Sequence, residues 1–405
     1  MLIFTFPGQG SQRPGMGRDW VDHPSWELVA DASEAAGRDV GQLLLDADKD
    51  ELTHTRNSQL ATFTLSLVVL DAIERLGLVP LACAGHSLGE YSALVASGAV
   101  AFEDGVRLVT ERGEAMQAAA EENPGTMAAI LGLDDDGVEA ACQRAEAEAW
   151  VANYNAPGQV VIAGSHEAVE SAGALAKELG ARRVMPLQVG GAFHTPFMAP
   201  ARAHLRKALS EVTFHPLEVP VTANVDARVH PEETEWAGLL SAQLCSPVRW
   251  RQTIDALAAS ATAGGNPKAV ASFVEIGPGG VLTALAKRIA PDARAVSVAT
   301  PDDLDSLVES LAADSPLQAY HAAHQGEHLY VSERVVVSPM TGVFEPALSG
   351  GGAAIVVGDL VGTVNDTEVR SPFAGEVMGL LAVSGERVTE GQPVAWLRAT
   401  EGPGL

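Results

Sequence analysis

The stretch AGHSLGEYSALVASGAV, residues 84–100, decides how the first part of this 405-residue chain is interpreted. An apolar run leads into it, Ser87 stands between Gly85 and Gly89, and apolar residues at helical spacing follow. A serine in a sharp turn between a buried strand and a helix is the pattern of a nucleophile elbow. The pattern predicts an activated serine, but it leaves open whether the acyl group passes to water or to another acceptor.

The segments around this elbow alternate between two kinds of pattern. Residues 1–6 and 79–84 are apolar runs that predict buried strands, and residues 58–76 and 88–96 have the apolar spacing of helices. Such alternation predicts an α/β fold with a largely parallel sheet.

Short elements follow one another closely between residues 126 and 190. We predict strand, helix, strand, helix, strand, with WVANYNAPGQVVIAG at 150–164 as the middle strand region. This compact split βαβ-like pattern predicts a small subdomain inserted into the larger one. A cleft between the two subdomains is the expected place for a substrate.

The composition excludes some classes of partner and site. A formal net charge of −26 repels nucleic acid and anionic membranes, so neither is expected as a partner. Cys83, Cys142 and Cys245 are scattered without CxxC spacing, so they predict neither a disulfide framework nor a zinc site. The first apolar run ends at Pro7, which is too short for a signal sequence or a membrane span, and a cytoplasmic location is expected.

Residues 314–333 have the composition of a linker with a helical piece. His321, His324 and His328 could share one face of that piece and bind a metal ion. No other ligand set accompanies them, and short histidine-containing linkers are common without a metal.

The last segment, residues 334–405, contains an internal repeat. SPMTGV at 338–343 returns as SPFAGEV at 371–377, and GDLV at 358–361 returns as GERV at 385–388. Duplicated short strands with turn residues at matching places predict a small two-fold β-barrel or sandwich.

A serine nucleophile needs a base, and His194 in GGAFHTPFM is the candidate among eleven histidines. The glycines before it and Pro196 after it suit a ring fixed in a loop, although a histidine that only satisfies a core hydrogen bond is the alternative. An α/β-hydrolase places an acid between its serine and a histidine near the end of the domain. Here no acid stands in an obvious partner position, which disfavours a hydrolase.

Several further motifs occur in one order along the first part of the chain. They are PGQGSQ (7–12), GHSLGEYSALVASGA (85–99), TERGEAMQ (110–117), NYNAPGQVVIAG (153–164), GAFHTPFM (191–198), QLCSPVRW (243–250) and EIGPGGVLTALAKR (275–288). Over about residues 1–295 the chain therefore resembles the malonyl-CoA:acyl carrier protein transacylases.

The resemblance implies a fold and a set of catalytic groups. The fold is an α/β-hydrolase-like acyltransferase core, residues 1–125 and 191–313, with a ferredoxin-like small subdomain at 126–190. Ser87 would be the nucleophile and His194 its base. The histidine-orienting group would be the main-chain carbonyl of Gln243, and the oxyanion would be held by the backbone amides of Gln9 and Leu88.

Arg112 would bind the substrate in this family, where it clamps the free carboxylate of a malonyl group. By itself, its position between Glu111 and Glu114 indicates a surface ion pair. The same pocket would be lined by His86, Met116 and Phe193. Leu88 and Phe193 match the malonyl-selective pattern of related polyketide acyltransferases, because a bulky ring crowds an α-methyl branch.

The implied reaction transfers malonyl from malonyl-CoA to the phosphopantetheine thiol of acyl carrier protein, for fatty acid or polyketide synthesis. It needs no metal, and a malonyl-loading subunit of a malonate decarboxylase would show the same motifs. The carrier protein is usually acidic, so docking needs a local basic patch on this acidic chain. The candidates, for which a solvated charged face is the alternative, are Arg249, Arg251, Lys287 and Arg288.

Residues 334–399 resemble a biotinyl/lipoyl carrier domain, which bears its cofactor on a lysine at a hairpin tip. Here the tip reads TVNDTE at 363–368, with Asn365–Asp366 as a two-residue turn, and no lysine follows Lys287. No biotin or lipoate is therefore expected. The domain is predicted to be a structural or docking module, and the alternative function is a scaffold that recruits an acyl-CoA carboxylase or malonate decarboxylase.

Overall fold

In the computed structural model the chain forms two compact units, Met1–Gln318 and Ala319–Leu405. The described residues are 1–145, 148–230, 235–263, 270–312, 333–348, 352–365, 367–372, 374–388 and 392–398. The predicted linker up to residue 332, with His321, His324 and His328, lies outside the described residues.

The helices and strands of the first unit alternate along most of its length. In chain order they are β1 (Leu2–Phe6), α1 (Leu28–Ala36), α2 (Val40–Leu45), α3 (Lys49–Thr53), α4 (Thr55–Arg75), β2 (Ala82–Gly85), α5 (Gly89–Ala96), α6 (Phe102–Glu122), β3 (Thr126–Leu131), α7 (Asp135–Arg144), β4 (Ala149–Ala156), β5 (Gln159–Gly164), α8 (His166–Glu178), β6 (Arg183–Pro186), α9 (Ala199–Glu211), β7 (Val221–Thr222), β8 (Val229–His230), α10 (Trp236–Gln243), α11 (Trp250–Ala263), β9 (Ser272–Ile276), α12 (Val281–Ile289), β10 (Arg294–Val298) and α13 (Asp302–Ala312).

The larger sheet of this unit has six strands in the order β10-β9-β1-β2-β7-β8. All neighbours are parallel except β7 and β8, so the predicted largely parallel α/β fold is confirmed. Phe6 at the end of β1 is in register with Gly85 at the end of β2. The loops that follow these two strands therefore meet at the carboxyl edge of the sheet, where such folds bind ligands.

The start of β2 differs from the prediction of a strand over 79–84. The strand begins at Ala82, and Val79 and Leu81 before it are 70% and 63% exposed. Pro80 has no N–H to donate to a neighbouring strand, so it cannot take part in the ladder and the strand starts only after it.

Two long helices form the interior beside the sheet. Nearly every side chain of α4 is buried, polar ones included, and α4 packs against α6 and α5. This packing places Gln59 of α4 and Arg112 of α6 inside the protein, next to the elbow.

The second sheet, formed by residues 126–186, is antiparallel with the order β4-β5-β3-β6 and carries α7 and α8. This βαββαβ arrangement is the split βαβ, or ferredoxin-like, topology. The predicted single strand region at 150–164 is instead a hairpin of β4 and β5. Pro157 and Gly158, the latter at φ +66°, form its turn, because proline and a left-handed glycine suit a reversal of the chain.

The second unit contains eight described strands in two antiparallel sheets. They are β11 (Glu333–Val337), β12 (Gly342–Pro346), β13 (Ala354–Ile355), β14 (Leu360–Val364), β15 (Thr367–Arg370), β16 (Gly375–Leu380), β17 (Glu386–Val388) and β18 (Pro393–Arg398). The sheet orders are β11-β18-β16-β13 and β15-β14-β12-β17.

The repeat of SPMTGV as SPFAGEV is matched by a repeat in the sheets of this unit, because these motifs lead into β12 and β16. Exchanging β11 with β15, β18 with β14, β16 with β12 and β13 with β17 converts one sheet order into the other. The turns at GDLV and GERV use the same device, because Asp359 accepts from the amide of Val356 and Glu386 accepts from the amide of Val383. GDLV leads into β14 and GERV into β17, however, and the exchange does not pair these two strands, so the predicted repeat of GDLV as GERV is wrong. The two halves enclose an apolar core that includes Phe344 and Val377.

Two kinds of feature are absent from the described residues. Among them, no helix is long and apolar enough to cross a membrane. The same part of the chain contains no group of three or more His, Cys, Asp or Glu side chains placed to hold a metal ion.

Candidate active site

The elbow between β2 and α5 is shaped by its two glycines. A Cβ on Gly85 would lie 1.8 Å from the carbonyl carbon of Gly89, and one on Gly89 would lie 2.0 Å from the carbonyl oxygen of Phe6. Ser87 between them has φ +53°, in the left-handed region that non-glycine residues rarely adopt. Such strain costs about 1–3 kcal/mol and persists only where surrounding groups hold it.

Ser87, His194 and Gln243 form a hydrogen-bonded row. Ser87 Oγ lies 2.8 Å from His194 Nε2, and His194 Nδ1 lies 2.9 Å from the main-chain carbonyl oxygen of Gln243. The carbonyl can only accept, so Nδ1 carries the proton and Nε2 is free to accept from the serine. The structure thus brings together the predicted nucleophile, base and orienting carbonyl.

Burial makes His194 a neutral base. Desolvation, with the positive charge of Arg112 as the next cause, lowers the pKa of His194 to about 3. Like Ser87, His194 has a left-handed backbone, at φ +63°. The imidazole is therefore uncharged near neutral pH and can accept a proton.

Arg112 is buried, with 1% of its surface exposed, so the surface ion pair indicated by its acidic neighbours is wrong. Helix α6 turns it inward, whereas Glu111 pairs with His204 at the surface. Arg112 Nη2 donates to Ser87 Oγ at 3.1 Å and to the side-chain oxygen of Gln243 at 2.9 Å, and Nη1 donates to Gln59 at 2.6 Å. Burial lowers the pKa of Arg112 from its ordinary value. The side chain is nevertheless charged at neutral pH, because a guanidinium does not lose its proton in proteins.

One predicted oxyanion donor lies in the elbow itself, and the other lies in the loop that packs against it. Leu88 is fully buried and precedes α5, and the loop with Gln9 follows β1. That loop presses on the elbow, since a Cβ on Gly8 would lie 2.5 Å from the carbonyl oxygen of His86. Among the described residues, neither the Gln9 amide nor the Leu88 amide donates to another protein group, so both are free to bind an oxyanion.

The other predicted pocket residues are adjacent to Ser87 or His194 in the sequence, or share a partner with Arg112. His86 Nε2 lies 2.9 Å from Asn155 Oδ1, and burial lowers the pKa of His86. The sulfur of Met116 accepts from Gln59, the residue that also holds Arg112. Phe193 is buried beside His194 in the sequence.

A cavity of about 570 Å³ opens onto His194. It lies between the small subdomain and the loop after α10, where the sequence predicted a cleft. Its lining includes Glu139, Trp150, Tyr154, His194, Cys245 and Pro247.

Four polar residues of the site were not singled out from the sequence. Glu90 and Asn155 lie inside the quoted motifs. A carboxylate among the apolar residues of α5 could have marked Glu90 as a buried residue of the site. Gln59 on α4 and Asn224 after β7 are far from every motif, and no sequence signal marks them.

Most of the proposed basic patch is already engaged within the protein. Arg249 donates to the carbonyl of Val225 and lies over the Tyr154 ring, and Arg251 pairs with Asp135 at 2.8 Å. Arg288 bonds to Gln159 and to the carbonyl of Pro157, whereas Lys287 is exposed.

Residues 3–312 match the family described as Acyl transferase domain. The malonyl CoA-acyl carrier protein transacylase of Bacillus subtilis (strain 168) is 39% identical over 315 residues, which cover 76% of this chain and 97% of that protein. The protein of the same name from Escherichia coli (strain K12) is 42% identical over 314 residues, covering 76% of this chain and 99% of that protein.

Solved structures show the same similarity. An acyl carrier protein S-malonyltransferase from Vibrio cholerae superposes with a TM-score of 0.71 at 39% identity, over 76% of this chain and 99% of that one. A type II PKS acyl-carrier protein in complex with its malonyl-transacylase gives a TM-score of 0.71 at 37% identity, over 76% of this chain and 99% of that one. The chain therefore belongs to the malonyl CoA-acyl carrier protein transacylase family.

Proposed function

We propose that the chain is a cytoplasmic S-malonyltransferase that moves a malonyl group from malonyl-CoA to the phosphopantetheine thiol of an acyl carrier protein. The observation that carries the proposal is the convergence on one hydroxyl oxygen of a base at 2.8 Å and a buried guanidinium at 3.1 Å. Ser87 with His194 can form an acyl-enzyme, and Arg112 beside them favours an acyl chain that ends in a carboxylate.

The first half-reaction acylates the serine. Ser87 Oγ attacks the thioester carbonyl while its proton passes to His194 Nε2. The amides of Gln9 and Leu88 hold the oxyanion, and such donors are typically worth about 3 kcal/mol each in the transition state. Collapse breaks the C–S bond, the CoA thiolate takes the proton from His194, and malonyl remains as an ester on Ser87.

The second half-reaction discharges the ester. The carrier thiol gives its proton to His194, and its sulfur attacks the ester carbonyl. The C–O bond breaks, and Ser87 recovers the proton, so no water is consumed. The cavity that opens onto His194 is the route that we assign to the phosphopantetheine arm.

Arg112 is the group that selects the acyl chain. Its Nη2 is directed at Ser87 Oγ in the free protein, so a carboxylate attached to an acyl group on that oxygen comes within its reach. A planar guanidinium binds a carboxylate with two parallel hydrogen bonds, which suits malonyl and leaves acetyl without this interaction. Leu88 and Phe193 would crowd an α-methyl branch, and one methyl is worth about 1–3 kcal/mol.

The acceptor is proposed to be an acyl carrier protein of fatty acid or polyketide synthesis. The names of the curated relatives and the solved complex of a type II PKS acyl-carrier protein with its malonyl-transacylase support this class of acceptor. Lys287 is the cation of the proposed basic patch that remains most available for an acidic partner.

The second unit is proposed to be a biotinyl/lipoyl-like domain without a cofactor. Its two four-stranded sheets, whose strand orders exchange with each other, support the assignment. The β14–β15 hairpin has Asn365 at its described tip, and the chain has no lysine after Lys287 that could form the amide link. Blots of the purified chain for biotin and for lipoate should be blank, and a signal would refute this proposal.

Intact-mass spectrometry after brief incubation with malonyl-CoA tests the proposed reaction. Wild type should gain one malonyl group, Ser87→Ala should gain none, and addition of holo acyl carrier protein should discharge the adduct onto the carrier. An adduct lost only to water, or no adduct, would contradict the proposed transferase.

The lysine-free hairpin also favours a second candidate, a scaffold whose second unit recruits an acyl-CoA carboxylase or malonate decarboxylase. Deletion of residues 314–405 separates the two candidates. The transferase proposal expects malonyl transfer to persist, since the site lies entirely within the first unit. Loss of transfer by a folded first unit would favour the scaffold.

A further inference from the structure

Ser87 holds a backbone conformation that needs support, and other residues supply it. Its N–H donates to Asn224 Oδ1 at 2.7 Å, and its carbonyl accepts from Gln243 Nε2 at 2.8 Å. Both backbone polar groups of the strained serine are therefore held by side chains from distant parts of the chain.

One buried carboxylate connects these two side chains. Glu90 lies one turn after Ser87 on α5 and is 1% exposed. Its Oε1 accepts from the backbone N–H of Asn224 at 2.7 Å, and its Oε2 accepts a short hydrogen bond from Gln243 Nε2. Asn224 also donates to the carbonyl of Gly85 at 2.7 Å, so the elbow is held on both sides of the serine.

Gln243 extends the network to the base and to the arginine. Its main-chain carbonyl accepts from His194 Nδ1, and its side-chain oxygen accepts from Arg112. Among the described hydrogen bonds, the Glu90 carboxylate makes none to a reacting atom, but it accepts from Gln243, which places both of these groups.

We propose that Glu90 is the positioning residue of this site: through Asn224 and Gln243 it holds Ser87, His194 and Arg112 in the geometry for acyl transfer. The proposal rests on the proposed function for the identity of the acyl group. A carboxylate is required because two N–H donors converge on it, and an amide there would direct its own NH₂ at one of them.

The charges around Glu90 are consistent with this role. Burial is the largest influence and raises the pKa of Glu90 to about 7, whereas its two hydrogen bonds and Arg112 favour the ionised form. Within the described part of the chain, the other ionisable groups that interact with Glu90 are Asp226, after β7, whose negative charge raises the pKa of Glu90, and Tyr91 on its own helix.

Glu275 supplies a matched control. It is also fully buried, and it also accepts from two N–H groups, those of Leu282 and Thr283. Those bonds lie at the start of α12, outside the site. Glu90→Gln and Glu275→Gln therefore impose the same chemical change at similar burial.

The test compares two reactions of Ser87 in the full chain: single-turnover acylation by malonyl-CoA and labelling by a fluorophosphonate. In Glu90→Gln we expect both rates to fall about 100-fold, since a misplacement of about 1 Å has that effect. Glu275→Gln should keep the wild-type rates. Equal rates in wild type and Glu90→Gln, or equal losses in both variants, would overturn the proposal.

A pH profile adds a readout that a purely structural role would not change. In wild type both rates should fall as the pH drops through about 7, because protonation removes an acceptor from the network. Glu90→Gln should be slow without that dependence, and retention of the same profile would overturn the proposal. A wild type that reacts with fluorophosphonate but not with malonyl-CoA would refute the proposed function, and the labelling rates would still decide the role of Glu90.

Gln243→Ala tests the route by which Glu90 acts, because it removes the side chain and keeps the carbonyl that orients His194. If Glu90 acts through Gln243, the double variant with Glu90→Gln should be no slower than the slower single variant. Losses that multiply would overturn this route. Should Glu90→Gln not fold, Glu90→Asp replaces it in every comparison, since it withdraws the carboxylate by one methylene.

Discussion

Two strand–turn–helix segments of the six-stranded sheet differ in the residue that takes the left-handed conformation in the turn. Strand β2 leads through residues 85–89 into α5, strand β9 leads through GPGG at 277–280 into α12, and both strands neighbour β1. In the β9 turn the left-handed positions are glycines, Gly277 at φ +126° and Gly279 at φ +105°. In the β2 turn the left-handed position is Ser87.

The buried glutamates of these two strand–turn–helix segments also differ in their hydrogen-bond partners. Glu275 accepts from amides at the start of the helix that follows it, so its hydrogen bonds stay within one strand–turn–helix segment. Glu90 accepts from Asn224 and Gln243, which lie 134 and 153 residues away. A turn whose left-handed positions are glycines, as after β9, needs no support from distant residues. The turn after β2 has a serine at that position, and side chains from distant parts of the chain hold it there.

The largest effect should come from removing the base beside the β2 turn. His194→Ala should lower the rate of Ser87 acylation about 10⁴-fold, at the upper end of what general base catalysis contributes. Quench-flow mass spectrometry measures the rate, with Glu275→Gln, in the strand before the other turn, as the control. A loss below tenfold would mean that His194 is only a core histidine.

Arg112→Ala should have the next largest effect, because it removes the buried cation that donates to Ser87 in the β2 turn. We expect acylation by malonyl-CoA to fall about 100-fold, within the range for truncation of a buried charged partner. Acylation by acetyl-CoA should fall less or increase, since it does not use the guanidinium. Arg112→Lys, which keeps the charge without the planar fork, should be intermediate, and unchanged malonyl kinetics would refute the clamp.

The stability of the protein should depend on pH through Glu90. The folded-state pKa of about 7 lies above the ordinary value of 4.5, so the folded state binds the proton more tightly between those values. This contribution to stability is complete below pH 4.5 and is lost as the pH rises through about 7. Thermal unfolding midpoints at pH 5 and pH 8 should differ less in Glu90→Gln than in wild type, and an equal difference would contradict the assignment.

Ser87→Gly converts the β2 turn into a glycine turn like that of β9. Because the left-handed conformation costs an L-residue roughly 1–2 kcal/mol and glycine little, Ser87→Gly should be about 1 kcal/mol more stable than Ser87→Ala. Both variants should be inactive. Urea unfolding measures the difference, and an alanine variant at least as stable as the glycine variant would show that the turn is not strained.

Gln9→Ala should have the smallest effect. The proposed oxyanion donor is its backbone amide, which alanine keeps, so we expect less than a threefold change, far below the roughly 10²- to 10³-fold loss of a removed donor. Gly8→Ala is the control, since its Cβ would lie 2.5 Å from the carbonyl oxygen of His86 and would displace the loop. A larger loss in Gln9→Ala than in Gly8→Ala would assign the role to the glutamine side chain.

Local patterns were sufficient for several elements and failed where a single residue changed the outcome. The elbow, α4 and the parallel sheet follow from apolar periodicity, because burial of one face dictates that periodicity. The start of β2 was misplaced because Pro80 removes a ladder donor from an otherwise apolar run. The β4–β5 hairpin was missed because Pro157 and Gly158 interrupt a stretch whose composition otherwise suits one strand.

The candidate site divides in the same way. Ser87 and His194 stand in motifs with glycine and proline neighbours, so their local sequence marks them. Arg112 lies between two glutamates, and its local sequence indicates the surface. Its burial follows from the packing of α6 on α4, which no window of the sequence around it contains.

The sequence by itself determined which residues can react and which turns can hold them, since backbone conformation and apolar periodicity are local properties. Only the tertiary structure decided which polar groups converge. Asn224 and Gln243 supply hydrogen bonds that Ser87 and Arg112 would otherwise lack, and Glu90 holds both of them, each time across more than a hundred residues. Hydrogen bonds act over about 3 Å regardless of separation along the chain, so this network exists only once the sheet and its helices have packed.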